Sequence, residues 1–256
     1  MHNPIHEFFQ ENGYYHARGV FSRDEITALE ADFDRIVTQL QRSGEEINAT
    51  WGGAANEKVG AKGTTIFHTH NVQNYSSHWT RALFQPRFQQ VCQALLGEDV
   101  VLHHTKLFQK PAEKGSPFPM HQDWSYFPTL RDTMLAGIIH VSRATDEMGC
   151  LRVVPGSHKL GRLQESGGMG AETEVQQRYP LEKALAVESE PGDVVFFHCL
   201  TLHGSFPNRS QEVRKTVLVQ LYAGNDAVEA GNAHPNARLM LAGWNHAMKR
   251  SAANLS

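Results

Sequence analysis

Cysteine is scarce in this chain. Three stand in 256 residues, at Cys92, Cys150 and Cys199, scattered and odd in number. That excludes a disulfide framework and a cysteine-built zinc site, and it points to a reducing, cytoplasmic setting. No apolar run approaches the ~18 residues that a membrane-spanning helix needs. The formal charge is only −3, and no block of about five or six like charges occurs. Neither nucleic acid nor an anionic membrane surface is therefore expected as a partner. Repeats, low-complexity tracts and linkers are also missing, so the chain reads as one domain over 1–256. Its opening, MHNPIHEFFQENGYY, lacks the basic-then-apolar layout of a secretory signal. What the chain has in excess is histidine, with 15 residues. Histidine is the commonest metal ligand, but most surplus histidines sit on surfaces or in cores, so spacing has to decide which of them matter.

The order of elements follows from local signals. Ser22-Arg23-Asp24-Glu25 is a capping box. Behind it Ile26, Leu29, Phe33, Ile36 and Leu40 recur at helical spacing, and Ser43-Gly44 closes the helix. A second helix is expected from Pro86 through Phe88, Val91 and Leu95, with Gly97 just past its end. From Asp99 the texture changes to short β-branched or apolar runs: VVLHHTKLF, TMLAGIIHV, CLRVV, KALAVES, DVVFFH and RKTVLVQLYA. Turns such as Pro155-Gly156-Ser157 and Pro191-Gly192-Asp193 separate them. This alternation is the mark of an antiparallel sandwich or barrel. Residues 161–180, with four glycines, read as a long loop of the kind that forms a lid or is partly disordered. The expectation is a mainly β protein with flanking helices. A helical layer covers about 1–98, the β core about 99–225, and a helical tail 226–256.

The stretch FPMHQDWSYFP, Phe118 to Pro128, sets a histidine and an aspartate two apart among aromatics. Residues i and i+2 of a strand share a face, so His121 and Asp123 can aim an imidazole and a carboxylate at one point. A third ligand can come from His198 or His203 in FFHCLTLHGSFPNRS. Two histidines and one carboxylate on one side of a metal leave three positions open, the arrangement of non-haem Fe(II) oxygenases. Alone, a His-x-Asp triplet is more often structural. Its company raises it: Ser205 lies two residues after His203 and Arg214 eleven after. Arg214 opens a β-branched run, and its guanidinium fork can grip a carboxylate in a bidentate pair. Without the histidines it would read as a surface ion pair.

Several motifs fall in one order: His121-Gln122-Asp123, then Gly149-Cys150-Leu151 with Pro155-Gly156-Ser157-His158, then Pro191-Gly192-Asp193, then His203-Gly204-Ser205 through Asn208 to Arg214. Together, over roughly residues 100–223, they resemble the phytanoyl-CoA dioxygenase family. Its members are Fe(II)- and 2-oxoglutarate-dependent oxygenases on a double-stranded β-helix, a jelly-roll sandwich. The resemblance implies His121, Asp123 and His203 as catalytic iron ligands, with Fe(II), 2-oxoglutarate and dioxygen (O2) as cofactors. It implies Arg214, helped by the Ser205 hydroxyl, as the grip on the distal carboxylate of 2-oxoglutarate. His158 matches a family turn and reads as structural. His198 remains the rival ligand, but only His203 has the serine and arginine in register.

Lys106 shares a strand face with His104 and Phe108. It meets either the cosubstrate or an anionic substrate, or it snorkels to solvent. Trp124, Tyr126 and Phe127 are candidate pocket walls, against the plainer reading of core packing. His70, Asn71 and Gln73 lie where relatives line the substrate side. Relatives that halogenate carry a small residue in place of Asp123, so hydroxylation is expected here. The implied partner is a small metabolite or natural-product intermediate, with succinate and carbon dioxide released. The alternative is an acyl-CoA 2-hydroxylase of phytanoyl-CoA type, which the YFP after HQD favours but the lack of an extended basic patch does not. A zinc hydrolase would leave Arg214 without a use, and a non-catalytic jelly-roll module would be expected to have lost its ligands.

Overall fold

The apolar phase of the strand runs builds two antiparallel sheets that face each other. The computed structural model describes residues 3–45, 47, 65–163, 174–231, 234 and 236–250. In chain order these hold α1 (Pro4–Asn12), β1 (Tyr14–Ala17), α2 (Arg23–Ser43), β2 (Phe67–His70), α3 (Ser77–Leu83), α4 (Pro86–Leu96), β3 (Val100–Lys110), β4 (Phe118–His121), β5 (Leu135–His140), β6 (Leu151–Val153), α5 (Glu174–Arg178), β7 (Leu185–Val187), β8 (Val194–His198), β9 (His203–Ser205), β10 (Arg214–Ala223) and β11 (Leu239–Ala242). The larger sheet runs β1-β8-β5-β10-β3-β11, with β2 also on β3, and the smaller runs β4-β9-β6-β7. This is the jelly-roll sandwich. No described helix is long and apolar enough to cross a membrane.

Each long strand of the larger sheet divides its residues between two environments. On β10, Val217, Val219 and Leu221 face outward and pack with Phe33, Trp79 and Phe88 of the helices in the main core. The alternate residues of β10 face the smaller sheet, as a pleat requires. Between the sheets a second cluster joins Ala136, Val195 and Phe197 of the larger to Leu151, Val153 and Val187 of the smaller. The capping box forms as expected. The Ser22 hydroxyl accepts from Glu25 N at 3.3 Å, and the Glu25 carboxylate accepts from Ser22 N at 2.6 Å. Gly44 then closes α2 in the left-handed region.

Three expectations change. The C-terminal tail is not helical over 239–242. It forms β11, which pairs with β3 at Val100–Leu102 and buries Leu241. An open strand edge with apolar residues at hand takes up a further strand more readily than it stays bare. Within the stretch read as a helical layer, β1 and β2 join the larger sheet. Of the 161–180 loop, residues 164–173 lie outside the described residues, and 174–178 form the short helix α5.

Candidate active site

β4 ends at His121, and there the chain leaves the sheet. The N–H groups of Asp123 and Trp124 both donate to the carbonyl of Cys199, at 2.9 and 3.1 Å, and residues 123–125 coil into a 3-10 turn. The carboxylate therefore reaches His121 by a turn, not by standing two along the same strand. His203 opens β9 directly opposite His121. Gly204 allows the two strands that close. A Cβ there would lie 2.7 Å from the Phe118 carbonyl and 3.2 Å from Met120 N.

The result is a tight group. Asp123 Oδ1 lies 3.6 Å from His121 Nε2 and 3.5 Å from His203 Nε2, and one ligand atom from each residue lies within 4.8 Å of the others. The outer atoms are all spoken for. His121 Nδ1 meets the Pro119 carbonyl at 2.7 Å, and His203 Nδ1 meets the Thr201 carbonyl at 2.9 Å. A carbonyl only accepts, so both Nδ1 atoms carry the proton and both Nε2 lone pairs turn inward. Asp123 Oδ2 accepts from Gln220 Nε2 at 2.8 Å. Burial pushes the Asp123 pKa up, but His203, His121 and the Gln220 hydrogen bond outweigh it and hold the carboxyl at about 2. Burial, then the neighbouring His121, drives His203 down to about 4. At neutral pH this is one anionic oxygen beside imidazole nitrogens, a donor set for a divalent cation.

The group opens on a cavity of about 300 Å³ between the sheets. Arg214, Thr216, Leu218 and Gln220, the inward residues of β10, form one wall, and Phe108, Phe118, Phe127 and Phe197 add apolar surface. Arg214 is buried. Its Nη1 donates to the Gly149 carbonyl, its Nε has no partner, and no carboxylate pairs with it among the described residues. Burial lowers its pKa only to about 10, so it stays charged. The Ser205 hydroxyl accepts from Lys110 Nζ at 2.6 Å, and Lys110 also donates to the Phe206 carbonyl at 2.9 Å.

The other nominated residues divide. Lys106 lines the cavity, with its ammonium 4.9 Å from the Phe108 ring centroid. Burial lowers it to about 8, against the pull of Asp123. Tyr126 and Phe127 line the cavity. Trp124 does not. It packs on Val101, Met134, Cys199 and Tyr222, beneath the Arg162 guanidinium. Asn71, Gln73 and His70 are also absent from the described lining. Gln73 accepts from Thr105 at 2.6 Å and donates to Asn71 at 3.2 Å, which fixes the β2–α3 connection. His70 packs on His104, which itself lines the cavity. His198 turns away from the group toward Phe9 and His158, and His158 meets the Gln10 carbonyl at 3.0 Å. The sequence reading missed Lys110, Gln220 and His140. The signal was available, because Lys110 is in phase with Lys106 on β3 and Gln220 with Arg214 on β10.

Residues 9–216 match the family model described as Phytanoyl-CoA dioxygenase (PhyH). The peroxisomal phytanoyl-CoA dioxygenase of Rattus norvegicus is 29% identical over 231 residues, covering 82% of this chain and 65% of that protein. The chain thus spans less than two thirds of that relative's length. A probable alpha-ketoglutarate-dependent hypophosphite dioxygenase of Stutzerimonas stutzeri is 27% identical over 252 residues, covering 92% and 84%. Among solved structures, the non-heme alpha ketoglutarate dependent epimerase SnoN from nogalamycin biosynthesis superposes with a TM-score of 0.72 at 24% identity, covering 90% of this chain and 86% of that one. At that identity the likeness speaks for the fold.

Proposed function

This chain belongs to the phytanoyl-CoA dioxygenase family, and on that premise we propose that it is an Fe(II)- and 2-oxoglutarate-dependent dioxygenase. It hydroxylates an unactivated carbon of a small metabolite or natural-product intermediate. One observation carries this reading. A buried group of two histidines and one carboxylate opens on a cavity that is also lined by a buried guanidinium with an unused Nε.

Both ends fit their ligands. The inward Nε2 atoms of His121 and His203 and Oδ1 of Asp123 suit iron(II), and they leave positions for exchangeable ligands. Arg214 has Nη1 taken by Gly149, so its Nε edge remains for the distal carboxylate of 2-oxoglutarate. The Ser205 oxygen already accepts from Lys110, which turns the hydroxyl proton outward to donate. With iron(II), 2-oxoglutarate and dioxygen bound, the chemistry supplied is oxidative decarboxylation to succinate and carbon dioxide, coupled to hydroxylation of a C–H bond. The protein binds, orients and keeps water out. Gln220 holds one oxygen of Asp123 and leaves the other facing the metal position, and the phenylalanines dry the cavity. Lys106 and Tyr126 are read as cosubstrate or substrate contacts.

The cavity, at about 300 Å³, stands at the lower end of small-molecule sites and favours a compact substrate. The acyl-CoA alternative draws on the apolar lining and on the rat relative, and it requires the whole CoA moiety to lie outside. We read the chain as one catalytic domain, since the larger sheet takes strands from β1 through to β11. Three free, buried cysteines support a cytoplasmic setting.

The test is anaerobic addition of Fe(II) and then 2-oxoglutarate. A visible metal-to-ligand charge-transfer band is expected, and it should be lost in Arg214→Ala at the same cosubstrate concentration. Iron binding without any band would overturn the reading and turn attention to zinc-dependent hydrolysis.

A further inference from the structure

We propose that His140 is a further donor to the distal carboxylate of the cosubstrate, completing a recess that Arg214 and Ser205 furnish only in part; this rests on the reading above. His140 closes β5 and pairs across with Thr216 of β10. Its side chain therefore shares the inward face with Thr216 and with Arg214, two residues before it. All three line the cavity.

His140 is 1% exposed, and neither ring nitrogen has a partner. Buried imidazoles ordinarily give at least one nitrogen to a carbonyl, a carboxylate or water. The buried His121 and His203 do so in this protein. The ring has no easy retreat, because its main chain is pinned on both sides. His140 N donates to the Asp193 carbonyl at 3.0 Å, and the His140 carbonyl accepts from Gly192 N at 2.9 Å. An apolar residue would fill this space without stranding polar atoms, as Ile138 does two positions earlier on the same face.

The neighbouring Arg214 Nε is equally unserved. An acceptor from outside that offers more than one oxygen would serve both of these neighbouring donors. Among the described lining residues the only acid is Asp123, already engaged with Gln220 and the two histidines. A carboxylate, with about four lone-pair sites, can take the Arg214 edge, the Ser205 hydroxyl and one His140 N–H together. Burial, then Arg214, drives the His140 pKa down to about 3. The ring is thus neutral, and it adds a hydrogen bond without adding charge.

The experiment titrates Fe(II)-loaded protein anaerobically with 2-oxoglutarate and, separately, with pyruvate, reading the charge-transfer band. Pyruvate has the same chelating head and no distal carboxylate. His140→Leu is expected to weaken 2-oxoglutarate by about tenfold or more, the scale of one lost hydrogen bond to a charged group. It should leave pyruvate and Fe(II) affinity near wild type. His140→Gln, which keeps a donor, should recover most of the loss. If His140→Leu does not fold, His140→Phe fills the same recess and is read the same way. Wild-type 2-oxoglutarate affinity in the apolar variant overturns the inference, and so does an equal loss for both keto acids. If the wild-type protein itself forms no band, the dioxygenase reading falls and the inference falls with it.

Discussion

Gln220 has one amide and two tasks. Its Nε2 holds Asp123 Oδ2, while its Oε1 is buried without a partner at the cavity wall. Gln220→Leu keeps the volume and removes the hold. Metal affinity should fall by about 10–100-fold, the usual cost of losing an outer-shell partner, read by Fe(II) titration. Asp123→Ala removes a ligand outright and should abolish succinate formation; an active variant would refute its assignment. Gln122, between the two proposed ligands, does something else. It is fully buried, donates to the carbonyls of Leu200 and Gly161 at 2.6 and 3.0 Å, and accepts from Leu163 N at 2.9 Å. The outer residues of the triplet were legible because histidine and aspartate announce metal chemistry. The middle one was not, because its partners are main-chain atoms far along the sequence.

At the scale of elements, two glycines set how closely the strands approach. Gly204 lets β9 lie against β4, so Gly204→Ala should part His203 from His121 and weaken metal binding even where the protein stays folded. Gly149 has φ +68°, and a Cβ there would lie 2.2 Å from the Phe206 carbonyl. Its own carbonyl anchors Arg214, so a side chain placed at this turn would disturb the guanidinium. Helix α2 offers a plainer test. Ser22→Ala should cost ~1 kcal/mol, as loss of an N-cap does, measured by urea unfolding. What the sequence displayed at this scale was local. A capping box, an apolar phase and a glycine stop all lie within one element, and α2, α4 and the long strands were legible for that reason. β1 and β11 are short, and they are strands only because β8 and β3 offer an edge distant in sequence.

For the whole molecule, the surplus of histidine becomes a liability in acid. Burial, above all, depresses His68, His70, His103, His198 and His203 to about 4, His140 to about 3 and His104 to about 2, from an ordinary 6.5. In the unfolded chain these rings take up protons below 6.5, and in the folded chain they do so only near 4 or lower. Between those limits the unfolded state binds more protons, so stability is lost as pH falls through the window. One unit of mismatch is worth ~1.4 kcal/mol, or ~3–6 °C of Tm in a domain of this size. Tm should therefore drop between about pH 7 and about pH 5, before most carboxylates titrate; a flat profile would contradict the burial of these rings. The site also has a mechanical side. His121 and His203 belong to the smaller sheet and Arg214 to the larger. On the proposed reading, a cosubstrate held at both ends would cross the gap between the sheets and tie them together. At a hundred times its Kd, such a ligand adds ~2.7 kcal/mol of stability, which corresponds to ~5–10 °C of Tm. The supply of 2-oxoglutarate in the cell would then govern how long each molecule of this protein survives as well as how fast it turns over.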